Sequence, residues 1–432
     1  MRILTVASVF PPKIIGGAEL SAYALSLWLK QAGHEVGVVT VAETPEEQLR
    51  GEAVDGLRIW RLTWPRFYTQ HNHKEKSRLS KGLWHLQDHF DPRNKTIVRQ
   101  VIEEFRPEII SVHVAQGIGH NAINPADWPN VPVIYFLHDL TLACIRTTMF
   151  RNDRNCERQC ATCALSSRVK LGILKDRKNV HFISPSAANL ETLRQNVHLE
   201  SPQCHVVPNV DLSIVAPHGP RIDNKVPNFI YVGRLDKTKG VAFLLNVLSD
   251  IADLGHIFRM TVVGRGPEEN VLRSKYSEKA WVRFTGQVPP EAVQDYLQCA
   301  DLFLLPSLWR ENHPGVVRQA LRAGVPVIVS DIGGSKEMII NGESGLILGT
   351  GDSSSWKEAI LSLLANQHAL NKLRSGALRL GATYSADALG ARIINILTNA
   401  IKNTANTASP IVEIENHRES KLSADGRDEW RS

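Results

Sequence analysis

The sequence predicts an α/β protein of two Rossmann-like domains whose parallel sheets face each other across a cleft. Three observations carry that expectation. Short apolar runs, too continuous for strands with one wet face, alternate with stretches of helical periodicity, as in parallel sheets covered on both faces. The alternation restarts at residue 228. Between the two series lies Ala216–Pro227, rich in Pro, Gly and polar residues and therefore of linker composition. The 432 residues, 43% of them apolar and 6% aromatic, suffice for two full cores.

In order along the chain, Ile3–Val9 reads as a first strand, Pro11–Glu19 as a loop, the stretch through Leu29 as a helix and Gly33–Thr40 as a second strand. Further strands are expected at Glu108–Val114, Val131–His138 and Val180–Ser184, which sets a first domain at 1–212 and a linker at 213–227. The second domain, 228–402, is expected to carry strands near 228–233, 260–264, 282–285, 302–305 and 326–330 and to close with a helix over Ala386–Ile401. The polar segment 403–432 reads as a disordered tail.

Composition removes several classes of function. A formal charge of +6, with cations and anions interspersed, does not indicate a nucleic-acid binder. No apolar run approaches the ~20 residues that cross a bilayer. The N-terminal apolar run is stopped by Pro11-Pro12 and has no cleavage-site pattern, so a cytoplasmic protein is expected. Six cysteines in a chain of this length do not form a secreted disulfide framework.

In open α/β sheets, ligands gather beyond the carboxyl ends of the strands, where loops converge and helix N-termini point. Gly16-Gly17 follows the first strand and either lets backbone approach a diphosphate or forms a flexible turn. Gly233-Arg234…Lys239-Gly240 follows the first strand of the second domain. Its two cations suit a diphosphate, or it is a solvated basic loop. Gly264-Arg-Gly266 is a tight turn that allows close approach to a base or ribose. In Pro306–Gln319 a strand end, Glu311, Pro314-Gly315 and a helix start follow one another. The free N–H groups at Gly315 and Val316 can meet a phosphate, while Glu311 and Gln319 can bond sugar hydroxyls or act as a cap and a surface residue. His138-Asp139 ends a strand, as does His113, a weaker candidate.

Two further clusters stand apart. Cys144, Cys156, Cys160 and Cys163 fall within twenty residues and supply either a structural zinc site bracing an insertion at 144–163 or a set of free thiols. Between Arg58 and Arg93, Trp60, Trp64, Phe67, Tyr68 and Trp84 mix with basic residues, which suits a bilayer edge or ordinary packing under a long loop.

Taken together, Gly16-Gly17-Ala-Glu19, Gly33-His34-Glu-Val, Val207-Pro208-Asn209, Gly233-Arg234…Lys239-Gly240, Gly264-Arg-Gly266-Pro267, Pro306-Ser307…Glu311, Ala323-Gly324-Val-Pro326 and Gly333-Gly334…Glu337 resemble the family 4 retaining glycosyltransferases of the GT-B fold, over residues 3–400. The resemblance implies a nucleoside diphosphate sugar held by the second domain through Gly233, Arg234, Lys239, Gly264, Gly266, Glu311, Gly315, Val316 and Gln319, with Gly16 and Gly17 across the cleft. It also implies that Arg234 and Lys239 stabilise the leaving nucleotide and that Glu311 and His138 face the transferred sugar. The acceptor, a glycan or a lipid-linked glycan, is expected on the first domain, with contact at the inner membrane surface. No Asp-x-Asp triplet occurs, so donor binding without a divalent ion and without a catalytic cofactor is expected. The family pattern places glutamate at the second of two positions eight apart, where this chain has Gln319, and glycine where it has Val210. The expected function is transfer of a hexosyl unit in cell-envelope or exopolysaccharide synthesis. The alternatives are a sugar-nucleotide epimerase, a phosphorylase and a non-catalytic scaffold of the same fold.

Overall fold

The structure, a computed structural model, describes residues 1–14, 16–68, 76–174, 179–197, 199, 203–212 and 225–407. Its strands in chain order are β1 (Arg2–Ala7), β2 (Glu35–Val41), β3 (Leu49–Val54), β4 (Leu57–Leu62), β5 (Ile109–Val114), β6 (Val133–Phe136), β7 (Phe150–Arg151), β8 (Arg154–Asn155), β9 (Val180–Ser184) and β10 (Cys204–Val206). The second half adds β11 (Asn228–Val232), β12 (Arg259–Val263), β13 (Val282–Gly286), β14 (Leu302–Leu305), β15 (Val327–Ser330) and β16 (Gly345–Leu348). Every strand expected from the sequence is present to within a few residues.

The first sheet has the order β10-β9-β6-β5-β1-β2-β4-β3 and is parallel except for β3, which pairs antiparallel with β4 at the edge. Side chains alternate across it: Leu4 and Val6 of β1 join one core with Ile110 and Val112, while Ile3 and Ala7 join the other with Ile109 and Val38. Both faces are therefore dry, and the strand sequences read as unbroken apolar runs. The second sheet, β13-β12-β11-β14-β15-β16, is parallel throughout and lies within a single core. Each sheet reverses its direction of growth beside its first strand, between β1 and β5 in one and between β11 and β14 in the other.

Three features depart from the expectations. The aromatic and basic stretch before Ile109 contains two helices, Arg78–Phe90 and Pro92–Phe105, where a long loop was one reading. The closing helix runs Ala386–Thr407, so residues 403–407 are helical; the rest of the expected tail, 408–432, lies outside the described residues, as does linker segment 213–224. That helix also does not close the second domain. Leu389, Ile393, Leu397 and Ala400 recur on one face and pack with Leu25 and Trp28 in the first domain's core, and the Trp28 indole N–H donates to Asp387 at 2.9 Å. The chain thus returns to its first half, and the two domains are joined at both ends of the second.

Candidate active site

The loops after β11 and β14 flank the point where the second sheet reverses, the place where an open α/β sheet leaves a crevice. They meet through Lys239 and Glu311. The ammonium donates to the Glu311 carboxylate at 2.6 Å, and the same Oε1 accepts from Ser307 Oγ at 2.6 Å and from the Trp309 indole at 2.9 Å. Lys239 also lies 5.0 Å from the Trp309 ring centre, within cation–π range. Glu311 is buried, and its charge is matched by three donors. A backbone bond from Leu308 N to Thr238 O, at 2.8 Å, ties the two loops again.

Arg234 belongs to the same loop but stands apart from that pair. Its guanidinium bonds Asp236 and its side chain is 62% exposed, so it is held near the crevice yet can swing. Asp236 also accepts from Thr238 N, which fixes the loop's short helical turn. Gly264 has φ +133°, and a Cβ there would meet Gly233 O at 1.9 Å, while one at Gly266 would meet Leu235 O at 2.2 Å. These two glycines let the β12 loop pack against the β11 loop. The helix Gly315–Arg322 begins after Pro314 with no side chain capping it, which leaves N–H groups at Gly315 and Val316 for an anion. Gln319 is half-buried one turn further in. Its neighbour Arg318 is buried, donates to Asn209 O and pairs with Asp211 at 3.6 Å, which explains the Val207-Pro208-Asn209 segment as an anchor for this helix.

Across the crevice, Gly16 caps the helix Gly17–Gln31; its N–H donates to Glu19 at 2.9 Å, and around Gly17 a Cβ would find open space. His138 follows β6. Its Nε2 lies 2.9 Å from His113 Nδ1, and His113 Nε2 lies 3.1 Å from Ser111 Oγ. Burial lowers the His138 pKa to about 4 and holds His113 well below its ordinary value, so both rings are neutral at physiological pH. His138 Nδ1 has no hydrogen-bond partner. Burial pushes the adjacent Asp139 up to about 6 despite the bond from Thr141 N.

Asn312, next to Glu311, links the two halves of the crevice, and sequence reading passed over it. Its amide donates to Leu137 O at 2.9 Å and His138 O at 2.8 Å, and its Oδ1 accepts from Ser186. Glu337 accepts from Ala187 N at 2.8 Å and Ala188 N, capping a helix of the first domain. Trp309 was also missed. Its position two residues before Glu311 was visible, but only the fold shows that its indole turns back onto the carboxylate.

Among the cysteines, the Cys144 and Cys163 sulfurs lie 3.8 Å apart and Cys160 is beside Cys163, but among the described residues no three of the four sulfurs lie within 4.8 Å of one another. Asp88, His89 and His120 each bring a possible ligand atom within 4.8 Å of the others. That group is already near charge balance, because Arg66 pairs with Asp88 at 3.2 Å and Lys170 lies close by. On the first domain a cavity of about 680 Å³ opens beyond β1, β2 and β4, lined among others by Phe10, Arg61, Arg66, Tyr68, Lys76 and Trp84. Along the neighbouring helix Arg78–Phe90, Leu79, Leu83, Leu86 and Phe90 form one exposed apolar stripe.

Comparison with known proteins agrees with this geometry. Residues 15–212 match Glycosyltransferase Family 4 and residues 217–379 match Glycosyl transferases group 1. A glycogen synthase of Mycobacterium tuberculosis is 26% identical over 397 residues, 90% of this chain and 91% of that protein. A phosphatidyl-myo-inositol mannosyltransferase of Mycobacterium leprae is 30% identical over 162 residues, 37% of this chain and 42% of that protein. Among solved structures, a sucrose-phosphate synthase from Thermosynechococcus elongatus superposes with a TM-score of 0.72 at 19% identity, covering 94% of this chain and all of that one. Anabaena HepE in complex with UDP and glucose superposes with a TM-score of 0.66 at 17% identity, covering 92% and 99%. With both halves of the chain matched and both sheets in the GT-B arrangement, the chain belongs to the family 4, group 1 glycosyltransferases.

Proposed function

We propose that the chain transfers a hexosyl unit, with retention, from a nucleoside diphosphate sugar to a lipid-linked glycan acceptor in envelope or exported polysaccharide synthesis. The observation that carries this reading is the Lys239–Glu311 pair, fixed by Ser307 and Trp309 at the sheet's reversal point. Breaking a glycosyl phosphate bond leaves negative charge on the departing diphosphate. Lys239, the uncapped helix at Gly315 and a swinging Arg234 are the positive groups that would stabilise it. Glu311 would bond hydroxyls of the sugar, and the buried, unpartnered His138 Nδ1, on a neutral ring, would bond another once the donor is seated. Retention by attack from the face that the leaving group occupies follows from membership of the retaining family. The family's use of nucleotide sugars and a relative structure holding UDP and glucose support the donor class. Lys239, Arg234 and the helix start at Gly315 would supply the positive charge that a divalent ion brings elsewhere, so donor binding is expected without one.

The acceptor reading rests on the first domain. The 680 Å³ cavity carries aromatic and basic groups, and the exposed stripe of helix Arg78–Phe90 next to it, with Lys76 and Lys81 close by, suits the surface of an anionic bilayer. No helix among the described residues is long and apolar enough to cross a membrane. Gln319 favours one other reading, a donor-binding protein without turnover. Calorimetric titration with UDP, GDP, ADP and their sugar conjugates, with and without Mg²⁺, separates these. Selective Mg²⁺-independent binding of one nucleotide sugar, slow hydrolysis of it, and binding by Gln319→Glu within tenfold of the native chain are the expected results. Binding without any hydrolysis or transfer supports the second reading, and binding of no nucleotide refutes both.

A further inference from the structure

The Cys144–Cys163 segment reaches across to the second domain. The hairpin β7–β8 ends at Asn155, whose amide donates to Leu308 O at 2.9 Å and whose Oδ1 accepts from Arg310 N at 3.1 Å. The next residue, Cys156, offers its carbonyl to the Arg310 guanidinium at 2.9 Å. Leu308 and Arg310 flank Trp309 and immediately precede Glu311, so a first-domain hairpin holds the second-domain loop on which the Lys239–Glu311 pair is built. A hairpin of two-residue strands has little stability of its own. Something else must hold its ends.

The sulfurs supply the means. Four thiolates about 2.3 Å from a central zinc stand about 3.8 Å from one another in a tetrahedron, and Cys144 and Cys163 are 3.8 Å apart. Backbone N–H groups already point at three of the sulfurs: Arg146 N donates to Cys144 at 3.4 Å, Ile145 N to Cys163, and Thr162 N and Cys163 N to Cys160. Such donors stabilise thiolate. Cys160 is exposed and Cys156 half-buried; no three of the four sulfurs lie within 4.8 Å of one another in the structure, so binding requires these two side chains to turn onto the remaining corners. Cys160 and Cys163, three apart at the start of helix Ala161–Ile173, have the spacing of one zinc knuckle.

We infer that Cys144, Cys156, Cys160 and Cys163 bind one structural zinc ion, and that this ion fixes the hairpin that clasps the Leu308–Glu311 loop. Binding displaces the thiol protons to solvent and leaves the sulfurs at the same oxidation state. The inference does not depend on which nucleotide sugar the crevice takes.

The test uses the full chain, purified without chelator and without a metal-affinity step. Elemental analysis should find about one zinc per chain, and exchange with Co²⁺ should give the sulfur-to-cobalt charge-transfer band and intense visible bands of a tetrahedral thiolate site. Cys160→Ser should lose the metal, whereas the double variant Cys204→Ser/Cys299→Ser, outside the cluster, should keep it. Removing zinc should raise amide hydrogen exchange at least tenfold in 150–163 and in 306–311. Folded native protein with less than about a tenth of an equivalent of zinc and no cobalt thiolate band overturns the site. So does a disulfide among the four. Zinc present with unchanged exchange at 306–311 overturns the bracing role, and none of these readouts depends on transferase activity.

Discussion

Lys239 has two demands placed on it. In the structure its charge offsets the buried Glu311 carboxylate, and in the proposed reaction it must also face the leaving diphosphate. Both are met if the ammonium, with three donors, keeps Glu311 on one and offers another to an incoming phosphate oxygen. Lys239→Ala removes the developing-charge contact and leaves Glu311 buried with only Ser307 and Trp309 as donors. Turnover should fall about 100- to 1,000-fold, the usual size for loss of one such contact, while nucleotide affinity falls about tenfold. Glu311→Gln keeps the shape but not the charge, and should lose about 10- to 100-fold in kcat/KM, as expected for one charge-assisted hydrogen bond. Steady-state kinetics with the donor identified by calorimetry decides. A Lys239→Ala enzyme within threefold of native turnover would remove Lys239 from the chemistry.

At the scale of elements, the strands were legible because parallel strands buried on both faces write themselves as apolar runs, as in Val180–Ser184 and Leu302–Leu305, where every residue is buried. The loops were legible where glycine or proline punctuates them. Helix Arg78–Phe90 was not, because its periodicity is split between two apolar faces: Trp84 packs inward while Leu79, Leu83, Leu86 and Phe90 face out. The link made by Asn312 and the turn of Trp309 onto Glu311 depend on tertiary placement, which no spacing encodes. The outward stripe also makes a prediction. Leu79 is 76% exposed and Phe90 58%, an arrangement that no intramolecular packing requires. Leu83→Glu/Leu86→Glu should therefore leave the melting temperature within a few degrees of native, since surface changes rarely exceed about 0.5 kcal/mol. The same variant should lower binding to vesicles containing anionic lipid at least tenfold in a sedimentation assay. Equal vesicle binding by variant and native chains would put the stripe to another use.

In the whole molecule, charge burial is unevenly divided, and that sets how the protein answers acid. Burial lowers His89, His138 and His181 to about 4, holds His113 and His120 well below their ordinary value and lowers His34 and His205 as well, all seven in the first domain. An unfolded histidine titrates near 6.5, so below that pH the unfolded chain binds more protons than the native one and stability falls with falling pH until about 4. Asp88 and Asp139, raised to about 6, act in the opposite sense, because between about 6 and 4 the native carboxyl takes up a proton the unfolded one does not. Seven lowered histidines against two raised carboxylates leave a net loss as pH falls from 7 to 5. At about 1.4 kcal/mol per unit of unmatched titration the loss is several kcal/mol, comparable with the whole stability of a domain. In the second domain burial holds His313 well below its ordinary value, and it follows Asn312, which bonds the first domain. Acid should therefore open the first domain before the second, although Asn312, Glu337 and helix Ala386–Thr407 tie the two together. Urea unfolding at pH 7, 6 and 5, followed by hydrogen exchange of each half, should show protection in β1, β5 and β6 falling at least tenfold per pH unit once intrinsic exchange rates are corrected. Strands β11 and β14 should hold longer. Equal loss in both sheets would mean that the interface, and not the buried histidines, sets the acid limit, and a midpoint that rises towards pH 5 would mean that the two carboxylates dominate.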